Sequence, residues 1–280
     1  MVLPAATLDH VVINARDDLD TAHQTYRRLG FRLTERGHHS LGSMNHLAIF
    51  GSDYLELIAL PPGGGALRRD LLNYPTGLNG LVFGTDAAAS TYGLLEKQGC
   101  PFDPPLEFSR PVEISGHTEE ARFRGIFMKP DTVTYGRVYF CQHLTRQFVW
   151  RDEWRNHDNG VVAVQRMVIV ENDPKTASEL YVRTFGADAV RDIEGGRAVI
   201  MGNSRVDIVT DKTLRGSFGS AAPDPAGRTG YMAALTFRTS SVGRALKTFQ
   251  ANNIADVERR HDALVVSARH ALNVTLEFIE

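Results

Sequence analysis

An apolar, strand-like segment running into a helix-start signal occurs four times along the chain, and this recurrence constrains the fold more than any other feature. The segments are LDHVVI from Leu8, GLVFGT from Gly80, RMVIVE from Arg166 and AALTFR from Ala233. Behind them stand Asp17 and Asp18, Asp86, Asp173 with Pro174, and the Ser240–Ser241 pair, all residue types that cap or open helices. Apolar positions then recur at helical spacing, as in Leu19, Ala22, Tyr26 and Leu29, or Ala177, Leu180, Tyr181 and Phe185. Gly30, Gly99, Gly186 and Asn252–Asn253 supply the stops, because these residues tolerate the left-handed conformation. Four helices are expected. The first and third copies also share TAxxxY, at Thr21 to Tyr26 and Thr176 to Tyr181.

Short β-type runs follow each helix: FRLTE, HLAIF and YLELIAL; RFRGIFM and RVYFCQHL; AVRDI, RAVIM and VDIVT; DVERR, ALVVSA and NVTLEFI. Each unit reads as strand, helix and three strands, a βαβββ sheet whose concave face another copy must close. The class is therefore α+β, with four units paired into two half-barrel domains. Residues 1–150 form the first and 160–280 the second, divided at the polar segment WRDEWRNHDNG from Trp150 to Gly160. A loose stretch from Gly216 to Gly230, with two prolines and four glycines, joins the third unit to the fourth. The run Gly63 to Gly65 lacks the lysine and serine of a phosphate loop and reads as a connector.

Composition narrows the function classes. With 280 residues, 42% apolar and 23% charged, the chain is globular, and a formal charge of -2 gives no case for nucleic acid or an anionic membrane as partner. No apolar run reaches membrane-spanning length, the N-terminus lacks the basic and apolar regions of a secretion signal, and two cysteines cannot build a disulfide framework. A small-molecule ligand and a cytoplasmic location are the expectations, with homodimerisation left open.

The segments LDHVVI, SMNHLAIFGSDYLELIAL from Ser43, YFCQHL from Tyr139 and the HDNG turn from His157 resemble the glyoxalase-like branch of the vicinal oxygen chelate superfamily. That resemblance, which spans nearly the whole chain, implies domains of the glyoxalase/bleomycin-resistance type. It also implies a divalent metal in the cleft, held on the first and last strands of paired units, with substrate oxygens at its open positions. His10 matches the first-strand ligand of unit one and Glu56 its last-strand ligand. Gly80 stands where a second-half histidine is expected, and His143 lies close to the remaining ligand position. His10, Glu56 and His143 would make a two-histidine, one-carboxylate triad suited to iron, manganese, zinc or nickel. In the second half Arg166 and Ala234 replace the histidines while Asp207 and Glu277 keep carboxylates, which speaks against an extradiol dioxygenase with its iron there. The resemblance points to isomerase or lyase chemistry with Glu56 or His46 as base. The alternative is a metal-free protein that binds or sequesters a small molecule in the same cleft.

Each candidate has a plainer reading. His10 can be a hydrogen-bonded core histidine, and Glu56 a solvated one, since alternation alone does not say which strand face is the core. His46, beside Asn45, is a ligand, a partner that orients Glu56, or an exposed strand residue. Arg122 and Arg124 alternate on one face and would suit a carboxylate or phosphate, with Arg110 assisting, but strand arginines are more often solvated. His157 is structural or touches substrate. Trp150 and Trp154 anchor the linker by burying ring area or stack on a ligand, and Cys141 is a soft ligand or a small buried residue.

Overall fold

The computed structural model describes residues 3–63 and 66–280; Gly64 and Gly65 of the glycine connector lie outside the described residues. The first half contains β1 (Leu8–Asn14), α1 (Leu19–Arg28), β2 (Gly37–His38), β3 (Met44–Ile49), β4 (Tyr54–Ala59), β5 (Gly77–Gly84), α2 (Ala88–Lys97), β6 (Leu106–Ile114), β7 (His117–Phe127) and β8 (Arg137–His143). The second contains β9 (Val161–Val170), α3 (Pro174–Phe185), β10 (Val190–Ile193), β11 (Gly196–Met201), β12 (Ser204–Val209), α4 (Asp211–Phe218), β13 (Tyr231–Thr239), α5 (Val242–Ala251), β14 (Val257–Arg260), β15 (Ala263–Val266) and β16 (Thr275–Ile279).

These strands form two eight-stranded mixed sheets, ordered β2-β3-β4-β1-β5-β8-β7-β6 and β10-β11-β12-β9-β13-β16-β15-β14. In each sheet the first strand of one unit runs antiparallel to the first strand of the next, β1 with β5 and β9 with β13. Each of these strands runs parallel to the last strand of its own unit. The architecture is α+β, with two half-barrel sheets, each built from a pair of βαβββ units. Among the described residues no helix is long and apolar enough to cross a membrane.

The helix signals act locally as read: Asp18, Asp173 and Ser241 accept from Thr21, Thr176 and Arg244 N–H groups at three helix starts. Three segments differ from expectation. FRLTE forms no strand; Thr34 instead exchanges bonds with Leu47 of β3 through its N–H and its hydroxyl, leaving a two-residue β2. Strand β6 was masked by its proline, which is tolerated because β6 is the sheet's edge and Pro111 owes no ladder N–H on the outer side. A fifth helix, α4, occupies part of the supposed connector. Thr210 caps it, and it drives Leu214 and Phe218 into the concave face of the second sheet.

One apolar cluster unites the backs of the two sheets. Phe31 and Phe50 meet Phe237 and Phe278 from the other sheet, with ring centroids of 5.2 Å for Phe31–Phe237 and 5.8 Å for Phe50–Phe237. Polar bonds inside this zone are matched: the Tyr135 and Tyr181 hydroxyls lie 2.7 Å apart, and buried Asp53 accepts from the Val164 N–H at 2.8 Å. Burial is the main influence on Asp53 and pushes its carboxyl up to about 7, against the lowering effect of the Val164 bond. A carboxyl raised from 3.8 in this way favours the folded chain fully below pH 3.8, and the contribution is lost as pH rises through about 7. Asp53→Asn, which keeps the acceptor oxygen, should flatten that fall and be more stable than the parent at about pH 8. Urea midpoints measured across the range check this, and parallel profiles would contradict it.

Candidate active site

The concave face of the first sheet carries the chemistry. Val12, Leu47, Tyr54, Ile58, Val82, Tyr139 and Cys141 share one buried cluster there, whereas Val11, Ile13, Leu55 and Leu57 belong to the back core. Alternation therefore turns Glu56, between Tyr54 and Ile58, into the cleft. A bulge between Leu8 and His10 interrupts the β1–β5 register, so that adjacent Asp9 and His10 side chains meet instead of pointing apart.

Asp9 Oδ1 lies 2.6 Å from His10 Nδ1, and His10 Nε2 lies 2.9 Å from the Tyr139 hydroxyl. The carboxylate accepts the Nδ1–H, which leaves Nε2 to accept from the tyrosine. Glu56 stands 3.7 Å from His10 Nε2, accepts from the Asn45 amide at 2.7 Å and faces His39 Nε2 at 3.8 Å. The enclosed space measures about 40 Å³ and is walled also by Arg68, Arg110, Arg137, Phe108 and Phe127. Space of that size admits roughly three waters or one small polar group.

Burial and charge act in opposition on these groups. For Glu56, burial pushes the carboxyl up, but His39, His10, the Asn45 bond and Arg137 outweigh it and hold it below the ordinary carboxylate range. His39 is pushed down to about 4, chiefly by burial, with Glu56 drawing it up and Arg110 and Arg68 pushing it further down. Burial also opposes ionisation of Asp9, yet His143 and His10 together keep it well below its usual position. Burial raises the Tyr139 hydroxyl and the Cys141 thiol well above their ordinary values, so both keep their protons.

The residues singled out from sequence fall in different places. His10, Glu56 and Asn45 come together in the cleft. His143 does not join them: its Nε2 lies 3.1 Å from Asp9, on the far side of that carboxylate from Glu56's cavity. With Asp9 and Cys141 it lines a larger space of about 810 Å³ between the two sheets. Ligand atoms of Asp9, Cys141 and His143 lie within 4.8 Å of one another, the one such group among the described residues.

His46 is turned to the opposite face of β3 from Asn45, where it stacks on His23 and donates to the Thr34 carbonyl at 2.8 Å. Arg122 and Arg124 are half exposed and pair with Glu107 outside the cavity. His157 is buried at the junction of the sheets, accepting from the Arg32 N–H and donating to the Ile49 carbonyl, so its role is structural. Trp150 packs edge-on against His143 and Tyr54 under the Arg146 guanidinium, closing one end of the concave face. Of the three histidines, His38, His39 and His46, that the sequence allowed to reach the cleft from the middle strands, His39 does so, whereas Arg68 and Arg137 were not anticipated as cavity residues. Alternation along RVYFC could have disclosed Arg137, which shares a face with Tyr139 and Cys141.

The second concave face is closed. Arg166, at the register position of His10, donates to Glu277 at 2.7 Å and to Thr236 at 3.0 Å, and approaches Asp207 at 3.5 Å. Leu214 and Phe218 of α4 plug the rest, with the Phe218 ring 5.9 Å from that guanidinium. None of the residues walling the first cavity comes from this half, so the second sheet is no lid over the first.

A family model described as a glyoxalase-like domain matches residues 8–185. The chain belongs to this glyoxalase-like family. No curated protein matches the sequence. Solved structures similar to this glyoxalase-like protein include a hypothetical protein from Staphylococcus aureus, at TM-score 0.68 and 11% identity over 98% of both chains. A mutant of 4-hydroxymandelate synthase from Streptomyces coelicolor aligns at TM-score 0.59 and 11% identity over 99% of this chain and 93% of that one. A fusion of a xylose isomerase-like TIM barrel with a 4-hydroxyphenylpyruvate dioxygenase aligns at 0.59 and 13% identity over all of this chain and 50% of that one. At such identities the likeness concerns the fold.

The divalent ion that membership implies finds a poor donor set in the first cleft. By strand register, Gly80 is the counterpart of His10 and Tyr139 the counterpart of Glu56. The glycine offers no ligand, and the protonated tyrosine hydroxyl is bonded to His10 Nε2. Guanidinium groups of Arg110 and Arg137 line the same space, where they would repel a cation. Nor can a side chain be restored at position 80, since a Cβ there would stand 2.6 Å from Val12 Cβ. Gly80→Ala should destabilise the chain by about 1–3 kcal/mol through overpacking, read as a lowered urea midpoint with unchanged slope. Unaltered stability would show that β1 and β5 move apart freely.

Proposed function

We propose that the first cleft performs proton-transfer chemistry of the isomerase or lyase type on a small molecule, with Glu56 as the base. The observation that carries this reading is an ionised carboxylate, buried on an inner sheet face, opposite a polar cavity walled by guanidinium groups. Glu56 would take a proton from carbon and return it to a neighbouring position. Negative charge developing on the substrate would meet Arg137 and Arg110 in a water-poor space, where electrostatic stabilisation is strong.

Asp9, His10 and Tyr139 form a second proton path. Passage of the tyrosine proton to His10 Nε2, as the hydroxyl oxygen takes one from substrate, would create an imidazolium facing Asp9 without leaving a tyrosinate, the logic by which a carboxylate supports a histidine base. That two structural relatives are a synthase and a dioxygenase by name supports a catalytic use of the fold. The donor set described above gives no support to a step at a divalent ion in this cleft.

Exchange of substrate hydrogen for deuterium, followed by proton NMR in D2O over a panel of small carbonyl compounds, tests the reading. Exchange should persist after chelator treatment and fall about 10²–10⁴-fold in Glu56→Gln. Tyr139→Phe should slow it while leaving the fold intact. Exchange that appears only after a divalent metal is added would favour the metal-dependent alternative. Its complete absence, with a ligand still bound, would favour the sequestering protein.

A further inference from the structure

The first cavity contains guanidinium donors that the protein itself does not satisfy. Arg110 is 3% exposed, and its terminal NH2 group has no hydrogen-bond partner. It forms no ion pair among the described residues; Glu56 is the carboxylate whose field it feels. Arg137 is similarly placed: its Nε donates to Asn79 at 2.9 Å, Asp70 stands 3.8 Å from NH1, and its NH2 is buried without a partner. A buried guanidinium left short of its anion is costly, so such groups are ordinarily paired. The second sheet shows the paired state, where Arg166 meets Glu277 at 2.7 Å and Asp207 at 3.5 Å.

We infer that Arg110 and Arg137 clamp the carboxylate of a small monoanionic ligand, placing its adjacent carbon against Glu56. This rests on the proposed use of the cleft and names the substrate class for it. At the cavity wall three guanidinium groups, Arg68, Arg110 and Arg137, meet one carboxylate, Glu56, while Asp70 on Arg68 and Arg137 and Asp9 behind His10 supply further negative charge, so a monoanion suits the site better than a doubly charged phosphate. Planar, forked donors also match a carboxylate edge. Occupation of the clamp would have a chemical consequence. Arg137 helps to hold the Glu56 carboxyl low, and an anion on Arg137 would offset that influence, strengthening the base when substrate is present.

Isothermal titration of the full chain with acetate, lactate and pyruvate tests the clamp, with lactamide as the neutral control and inorganic phosphate as the competing anion. At least one carboxylate should bind and lactamide should not. Arg110→Gln and Arg137→Gln should each weaken binding tenfold or more, and Glu56→Gln should tighten it by removing a repelling charge. Without ligand, Arg110→Gln should melt at or above the parent temperature, because it removes an uncompensated charge. Failure of all three carboxylates to bind, equal binding of lactamide, preference for phosphate, or a markedly lowered melting temperature in Arg110→Gln would each overturn the inference. Carboxylate binding without deuterium exchange would leave the clamp standing and remove the catalytic reading. Exchange on neutral carbonyl compounds without carboxylate binding would do the reverse.

Discussion

The burial of an ionised Glu56 on an inner sheet face is the constraint around which the first domain is arranged. A carboxylate there is tolerable only if charge and hydrogen bonds replace water. Asn45 supplies the bond, His10 and His39 close approach, and Arg137 a more distant positive field. These come from β1, β3, β8 and the turn after β2, so an intact curved sheet is a condition for the site. The bulge at the start of β1 belongs to the same arrangement, because it brings Asp9 to His10 and thereby decides which imidazole nitrogen faces Tyr139.

The two clefts show how one strand order can be put to opposite ends. In the second, a guanidinium occupies the place of His10, two carboxylates and a threonine satisfy it, and α4 fills the volume that remains. Its arginine is held by carboxylates of its own sheet, and this half contributes packing and an aromatic junction to its neighbour. In the first, Arg110 and Arg137 each keep a buried NH2 group without a partner and a small polar space persists. Openness to a ligand thus follows from incomplete internal pairing, not from a larger cavity.

The larger space between the sheets has a different character. Asp9, Cys141 and His143 reach one of its walls, and Asp53 and Arg238 another. Asp9 already accepts from both imidazoles, so its negative charge serves to hold two histidines in place across the intervening strand β5. His143 accordingly supports the Asp9–His10 arrangement from behind, and its separation from Glu56 follows from its lying four residues beyond Tyr139, near the end of β8.

Much of the architecture was legible because it depends on local chemistry. Caps at Asp18, Asp173 and Ser241, left-handed stops at Gly30, Gly99 and Gly186, and period-two apolar runs act within a few residues of themselves. The prominence of His10, Glu56 and Asn45, and the loss of ligands at Gly80, Arg166 and Ala234, could likewise be read from the order of residues. Facing could not. His46 and Asn45 are neighbours in sequence, and only the pairing of β3 with β4 and the side on which the back core lies turn one to the cleft and the other away. Arg110 on the edge strand and Arg137 on β8 meet at one cavity through sheet curvature, which no spacing rule records. Residue order set the strands, helices and chemical types, because these obey short-range sterics and hydrogen bonding. Tertiary structure alone decided which charges were neutralised and which were left for a ligand, because that balance depends on groups brought together across the sheet.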